Sequence, residues 1–169
     1  PSVCNALDTV LVHVAVAPAF LPRLADRWAE AGVEMRCDRR ALSILGRSDG
    51  HTAVSAGEGD WGQEFLSLVA SVKVVDTMDE ALAHVDTYGS GHTDAIVTED
   101  YSAAGRFLDE VDSAVVMVNA STRFNDGAEL GLGAEVAIST NKLHARGPMG
   151  LRELTSYKWT VLGAGQVRP

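Results

Sequence analysis

The sequence predicts an α/β fold with a largely parallel sheet, and two observations carry that prediction. Short apolar, β-branched segments alternate with segments whose apolar residues recur at helical spacing, an order typical of strands joined by crossover helices. The 169 residues are 46% hydrophobic and 22% charged, which is a globular composition of ordinary single-domain size. We find no apolar run of transmembrane length, and therefore expect no membrane span.

The first half of the chain begins with a predicted buried strand over residues 9–16, which are mainly apolar and β-branched. A helix should open at Pro18 and close at Gly32. A short strand over 33–37 and a helical turn over 40–45 follow. Residues 46–62 are rich in Gly, Ser and Asp, which indicates a surface loop, and residues 65–70 fit neither pattern.

The second half continues the alternation of strands and helices. Valines at 72, 74 and 75 predict a strand, and Thr77 with Glu80 three residues later forms a capping box that should open a helix through about residue 87. Strands over 93–98 and 111–118 should flank a helix over 102–110. After Asn119 glycines punctuate a loop-rich segment, and residues 154–162 predict a final strand.

Charge and cysteine content exclude several functions. The formal net charge of −9 disfavours nucleic acid as a partner, although a few basic groups could still bind a small anion. Two cysteines make no disulfide framework, so a reducing cytoplasmic compartment is the simpler expectation. The histidines lack zinc spacing, and we expect no metal site. The chain opens without Met or a leader, so we expect it to be part of a longer protein.

Cys4 is the first candidate for chemistry, because a helical turn is expected at Asn5 and a helix amino terminus favours the thiolate form of cysteine. A buried structural role is the alternative for Cys4. The same structural role is expected for Cys37, because no feature of its sequence surroundings favours a chemical one. His84 should be half exposed on its helix. His92 follows Gly-Ser-Gly in a loop, where polar residues more often serve function.

A local concentration of basic residues lies in the last third of the acidic chain. It could receive a phosphate or a carboxylate, and a solvated basic face is the alternative. The glycine-rich residues 127–133 match no nucleotide-binding pattern and indicate a flexible loop. The basic residues are Arg123, Lys142, His144, Arg146 and Arg152.

Five segments, in order along nearly the whole chain, carry a resemblance to a known family. They are Val-Cys-Asn-Ala at 3–6, Trp-Gly-Gln-Glu-Phe at 61–65, Tyr-Gly-Ser-Gly-His-Thr-Asp at 88–94, Asn-Ala-Ser-Thr-Arg-Phe at 119–124 and Lys-Leu-His-Ala-Arg-Gly-Pro-Met-Gly-Leu at 142–151. Together they resemble gamma-glutamyl phosphate reductase, of the aldehyde dehydrogenase superfamily. Val85, where isoleucine is usual, and Ala137, where glycine is expected, depart from the pattern.

The resemblance implies a three-layer αβα fold of the aldehyde dehydrogenase catalytic-domain type. Residues 1–133 would form the catalytic domain and residues 134–169 the return segment and oligomerisation tail, with the amino-terminal nucleotide-binding domain absent. Cys4 would be the nucleophile and Glu64 would hold the nicotinamide ribose of NADPH. Ser121, Thr122 and Arg123 would anchor the substrate.

The implied reaction is the NADPH-dependent reduction of L-glutamyl 5-phosphate to L-glutamate 5-semialdehyde and phosphate in proline biosynthesis. It would pass through a thioacyl intermediate on Cys4. A homo-oligomer formed through the terminal strand and a glutamate 5-kinase are the expected protein partners. The isolated chain should be inactive and bind NADPH weakly. Two alternatives stay open: a non-catalytic assembly module, and a general aldehyde dehydrogenase domain, which the segment from His144 to Leu151 disfavours.

Overall fold

A computed structural model describes residues 1–46 and 52–169. Within them, strands and helices alternate through the first two thirds of the chain, as predicted. The strands are β1 (Thr9–His13), β2 (Glu34–Cys37), β3 (Ala53–Ser55), β4 (Val69–Val75), β5 (Thr93–Ile96), β6 (Val115–Val118), β7 (Ala137–Ser139) and β8 (Gly147–Met149). The helices are α1 (Ala17–Glu30), α2 (Arg39–Leu45), α3 (Met78–Tyr88) and α4 (Tyr101–Glu110).

The main sheet has four parallel strands in the order β1-β4-β2-β3. The register places Thr9 opposite Ser71 at one end of the β1–β4 pair and His13 opposite Val75 at the other. A parallel pair β5–β6 and an antiparallel pair β7–β8 lie outside this sheet. The prediction of a mostly parallel α/β fold is confirmed.

Alternation along β4 separates the layers. Val72 and Val74 are buried in one apolar cluster with Leu21 of α1 and residues of α2. Lys73 points to the opposite face, where its Nζ lies 3.3 Å from Nδ1 of His84 on α3. Because successive side chains of a strand face opposite sides, α1 and α2 cover one face of the sheet and α3 the other.

Side-chain caps set the start of three helices. The carboxylates of Asp38 and Asp100 accept from the amides three residues on, at 2.7 and 2.9 Å. Thr77 Oγ1 accepts from Glu80 N–H at 3.2 Å, which confirms the predicted cap of α3. Glu80 returns its carboxylate to Asp76 N–H at 2.8 Å instead of to Thr77, so the reciprocal half of the capping box is displaced by one residue.

Several predicted boundaries differ from the structure. β3 lies inside the predicted loop 46–62, of which residues 47–51 are outside the described part of the chain. The strand predicted over 111–118 begins only at Val115, because Val111 caps α4 by donating its N–H to the Phe107 carbonyl. β1 ends at His13, three residues before its predicted end, where the chain turns into α1.

The tail is the clearest error in the predicted elements. Residues 154–162 form no strand and are all exposed, with Trp159 87% exposed. Their composition favours a strand, but a strand needs a neighbour to accept its backbone hydrogen bonds, and the described part of this single chain offers none. None of the described helices is long and apolar enough to cross a membrane.

Candidate active site

Cys4 lies in a tight turn that leads into β1. The Ala6 N–H donates to the Val3 carbonyl at 2.9 Å, which places Cys4 and Asn5 at the centre of the turn. The thiol is free and exposed. The turn does not continue as a helix, and the first helix begins at Ala17. The expected helix amino terminus at Cys4 is therefore wrong, because no helix of the described chain begins at this turn.

The neighbouring residue, Asn5, binds this turn to a distant loop. Its side chain is 6% exposed, and its Nδ2 donates to the Asn125 carbonyl at 2.9 Å. Its Oδ1 accepts from the Arg123 guanidinium, and its main-chain carbonyl accepts from Thr122 Oγ1 at 2.8 Å. Every polar group of Asn5 in these contacts is directed at one loop. The structure thus brings Cys4 beside the predicted substrate loop, across more than a hundred residues of sequence.

The predicted substrate loop, residues 121–125, follows β6 at the carboxyl end of the β5–β6 pair. It forms one 3-10 turn over Thr122–Phe124, in which Ser121 Oγ accepts from the Arg123 N–H at 3.3 Å. Asn119 fixes the entry to the loop, because its side chain accepts from the Thr98 N–H at 2.9 Å and donates to the Thr98 carbonyl at 2.8 Å. The loop lies where α/β proteins place ligand-binding groups.

Asn125 and Thr93 join the candidate site through hydrogen bonds, and neither was among the residues predicted for it. Asn125 is fully buried, and its Nδ2 donates to Thr93 Oγ1 at 2.7 Å. His92 Nδ1 lies 2.6 Å from the same hydroxyl. His92 and Thr93 both lie in the family segment at 88–94, and His92 also follows Gly-Ser-Gly, but Asn125 had no such signal. The burial of an Asn that follows a basic, loop-like segment has no signature in a single sequence.

Glu64 lies near the chain that connects the Cys4 turn to β1. Burial raises the pKa of the Asp8 carboxyl and the charge of Glu64 raises it further, while a hydrogen bond from the Phe65 amide opposes the rise. The Glu64 side chain is exposed and forms no ion pair with the described residues.

An aromatic cluster supports the segment that carries Glu64. His84 packs edge-on against Trp61 with ring centroids 5.5 Å apart, and against Tyr88 at 4.7 Å. Lys73 Nζ lies 5.9 Å from the centre of the Trp61 ring. Burial, with the Lys73 charge as a second cause, lowers the pKa of His84 to about 4, although Glu80 partly opposes this. His84 is only 6% exposed, so the expectation of a half-exposed histidine is wrong.

The basic residues of the last third do not form one site. Arg146 donates to the Asp112 carboxylate at 2.7 Å, and Lys142 binds the same carboxylate. These two contacts lower the pKa of the Asp112 carboxyl. Arg123 instead bonds to Asn5. Within residues 1–46 and 52–169 we find no group of three or more potential metal ligands.

Comparison with known proteins places this geometry in a family. A model of the aldehyde dehydrogenase family matches residues 61–160, more than half of the chain. The chain therefore belongs to the aldehyde dehydrogenase family. An acetylating aldehyde dehydrogenase from Geobacillus thermoglucosidasius shares the fold, with a TM-score of 0.68 at 15% identity, over 99% of this chain and 45% of that one.

Within that family, the resemblance to gamma-glutamyl phosphate reductase is confirmed. Proteins of that name from Dehalococcoides mccartyi and Thermus thermophilus are each 61% identical over 99% of this chain. The crystal structure of the gamma-glutamyl phosphate reductase from Thermotoga maritima superposes with a TM-score of 0.90 at 47% identity, over all of this chain. The chain spans 40% of the length of each of these relatives.

Proposed function

We propose that this chain is the catalytic segment of an NADPH-dependent reductase that converts L-glutamyl 5-phosphate to L-glutamate 5-semialdehyde and phosphate in the cytoplasm. The observation that carries the proposal is the Asn5 link, which sets Cys4 beside residues 121–125. A nucleophile and an anion-binding loop held side by side suit an acyl phosphate, whose reacting carbon lies next to an anionic group. The names of the relatives supply the substrate class.

The Cys4 thiolate attacks the acyl carbon, an S–C bond forms, and the C–O bond to phosphate breaks. Phosphate is a good leaving group, so the step needs no strong acid. The Cys4 N–H donates to no acceptor among the described residues and is free to stabilise the oxyanion on the reacting carbonyl. When the thioester carbon has been reduced, the C–S bond breaks and the aldehyde leaves with the thiolate restored.

Arg123, Ser121 and Thr122 orient the substrate in this proposal. A guanidinium can bind a carboxylate or a phosphate with two parallel hydrogen bonds. Asn5 takes up one terminal nitrogen of Arg123, which leaves the rest of the fork for an anion. Because Asn5 adjoins Cys4, an anion held by Arg123 would be fixed in position relative to the thiol.

NADPH, when bound, supplies the hydride for the thioester carbon. Glu64 fits a ribose, because its exposed carboxylate can accept hydrogen bonds from sugar hydroxyls and no basic residue of the described chain neutralises it. We further propose that the chain by itself binds NADPH weakly and does not turn over, since it spans 40% of the length of its relatives. The exposed Tyr157, Trp159 and Leu162 support assembly of a homo-oligomer through the tail.

The two cysteines provide a matched test, in a protein of full family length that contains this chain. Cys4→Ser should abolish reduction, while Cys37→Ser should leave most of it. Cys37 is fully buried, and its burial, with the charge of Asp38, raises the pKa of its thiol to about 12. Iodoacetamide should therefore label Cys4 and spare Cys37 in the folded protein.

The proposal fails if reduction survives in Cys4→Ser, or if both serine variants lose activity equally. A protein that oxidises simple aldehydes and ignores the acyl phosphate would instead support a general aldehyde dehydrogenase. Calorimetry with NADPH on the 169-residue chain tests the cofactor assignment separately, because tight saturable binding would contradict it.

A further inference from the structure

A series of hydrogen bonds runs from β5 to the Cys4 turn, through the partly buried His92 and Thr93 and the buried Asn125 and Asn5. His92 Nδ1 contacts Thr93 Oγ1 at 2.6 Å, and Asn125 Nδ2 donates to the same hydroxyl at 2.7 Å. The main-chain carbonyl of Asn125 then accepts from Asn5 Nδ2 at 2.9 Å. Three segments that are far apart in sequence meet through these contacts. The last of them ends one residue from the proposed nucleophile.

The directions of the hydrogen bonds follow from the chemistry of the groups. The Asn125 amide can only donate to the Thr93 oxygen, so the hydroxyl is left with its own proton to donate. His92 Nδ1 is the acceptor within reach. In the tautomer that accepts this proton at Nδ1, the ring proton is on Nε2, which is buried and has no partner among the described residues. Thr93 is thus the central residue of this series, because its hydroxyl accepts from Asn125 and contacts His92.

Burial of the Asn125 side chain costs free energy, because one of its polar atoms is left without a hydrogen bond. It is fully buried, and its Oδ1 has no hydrogen-bond partner among the described residues. Most buried polar groups are paired, so an unpaired buried side-chain atom calls for an explanation. The side-chain Nδ2 of Asn125 donates to Thr93, and the main-chain carbonyl of the same residue accepts from Asn5.

We propose that Thr93 and Asn125, with His92 at the outer end, are positioning residues that hold the Cys4 turn against the loop of residues 121–125. The inference rests on the proposed role of Cys4 as nucleophile. None of the three touches the thiol in the structure. They act through Asn5, whose main-chain and side-chain oxygens are bound by Thr122 and Arg123.

Thr93→Val removes the hydroxyl and keeps the shape of the side chain, while Thr93→Ser keeps the hydroxyl. In a protein of full family length, kcat should fall about tenfold to a hundredfold in Thr93→Val, because small displacements of a reacting group cost rate. The KM for the acyl phosphate should change little, and Thr93→Ser should restore kcat. Thr87→Val is the matched control, because its hydroxyl bonds only within α3, to the Ala83 carbonyl at 2.7 Å.

A second readout does not depend on the reaction. The rate constant of Cys4 alkylation by iodoacetamide should shift in Thr93→Val by more than it does in Thr87→Val, and return in Thr93→Ser. A fall in melting temperature with unchanged kcat and unchanged alkylation would show a purely structural role and overturn the inference. If Thr93→Val does not fold, His92→Leu takes its place under the same criteria. Should Cys4→Ser retain activity, the proposed function fails, while the alkylation comparison still decides whether the turn is held by Thr93.

Discussion

His84 should make the protein less stable at mildly acidic pH, because it is buried as a neutral ring. It lies between Trp61 and Tyr88, with the Lys73 ammonium 3.3 Å from its Nδ1. A proton on the ring would place a second positive charge beside Lys73 in a desolvated site. For that reason the pKa of His84 is lowered from 6.5 to about 4 in the folded chain.

The sign of the effect follows from proton binding. Between pH 6.5 and about 4 the unfolded chain carries a proton on His84 that the folded chain does not, so acidification favours unfolding. The complete pKa difference corresponds to about 3 kcal/mol, and most of it would be lost by pH 5. Trp61 and Tyr88 are only half-buried, and solvent screens part of the effect. We therefore expect a loss of about 1–2 kcal/mol between pH 7 and pH 5.

The assay is urea unfolding of the 169-residue chain at pH 7 and pH 5, followed by tryptophan fluorescence. His84→Gln keeps a neutral side chain with an acceptor for Lys73, and should lose much less stability between the two pH values than the parent chain. His144→Gln removes an exposed histidine and should leave the pH dependence of the parent unchanged.

Carboxyl groups do not account for the same result. The pKa values of Asp76 and Asp112 are lowered by their ion pairs, so their contribution is lost only below the ordinary range of aspartate, under pH 4. Burial raises the pKa of Asp94, which favours the folded chain on acidification and acts in the opposite direction. An equal loss of stability in the parent and in His84→Gln would refute the assignment of the pH dependence to this ring.

Two further predictions concern the loops that carry the proposed site. Arg123→Lys in a protein of full family length should lower kcat/KM for the glutamyl substrate tenfold or more, since a charge-assisted hydrogen bond contributes about 1.5–3 kcal/mol, and should leave the KM for NADPH unchanged. An unchanged substrate KM with a lowered melting temperature would instead assign Arg123 to holding Asn5. Gly62→Ala should destabilise the fold by about 1–3 kcal/mol, because Gly62 has φ +73° and its new Cβ would lie 2.7 Å from the Tyr88 carbonyl oxygen. Gly59→Ala, which meets nothing within 4 Å, is the control, and equal melting temperatures for the two variants would contradict the strain.

Local sequence was informative where local physics decides the structure. Thr77 predicted the start of α3 because a cap is settled within one turn. Val72 and Val74 predicted a buried strand, because valine is β-branched and apolar and is therefore common in buried strands. The strand predicted over residues 154–162 does not form, because the segment has no neighbouring strand to pair with in the described chain. The presence of such a neighbour cannot be read from the segment's own sequence.

The sequence motifs predicted which residues belong to the candidate site, but not the hydrogen bonds that hold those residues in place. Cys4 and Arg123 were identified through family segments, but the hydrogen bonds between Asn5 and residues 122–125 depend on a fold that brings the two segments together. Asn125 was missed for the same reason. Its burial is a consequence of tertiary contacts with Thr93, and an asparagine in a loop-rich segment is expected to face water.

The error about the Cys4 helix changes how the thiol must be understood. A helix amino terminus would activate the cysteine in the free protein, through a dipole that is always present. The structure has only a tight turn at this position, and that turn is bound by its asparagine to the proposed substrate loop. The groups near the thiol then come from the turn and from the loop of residues 121–125. An anion bound by Arg123 would be linked to Cys4 through Asn5, which accepts from Arg123 and adjoins Cys4. Under the proposed function, the placement of Cys4 would be coupled to anion binding at Arg123, which a helix dipole would not produce.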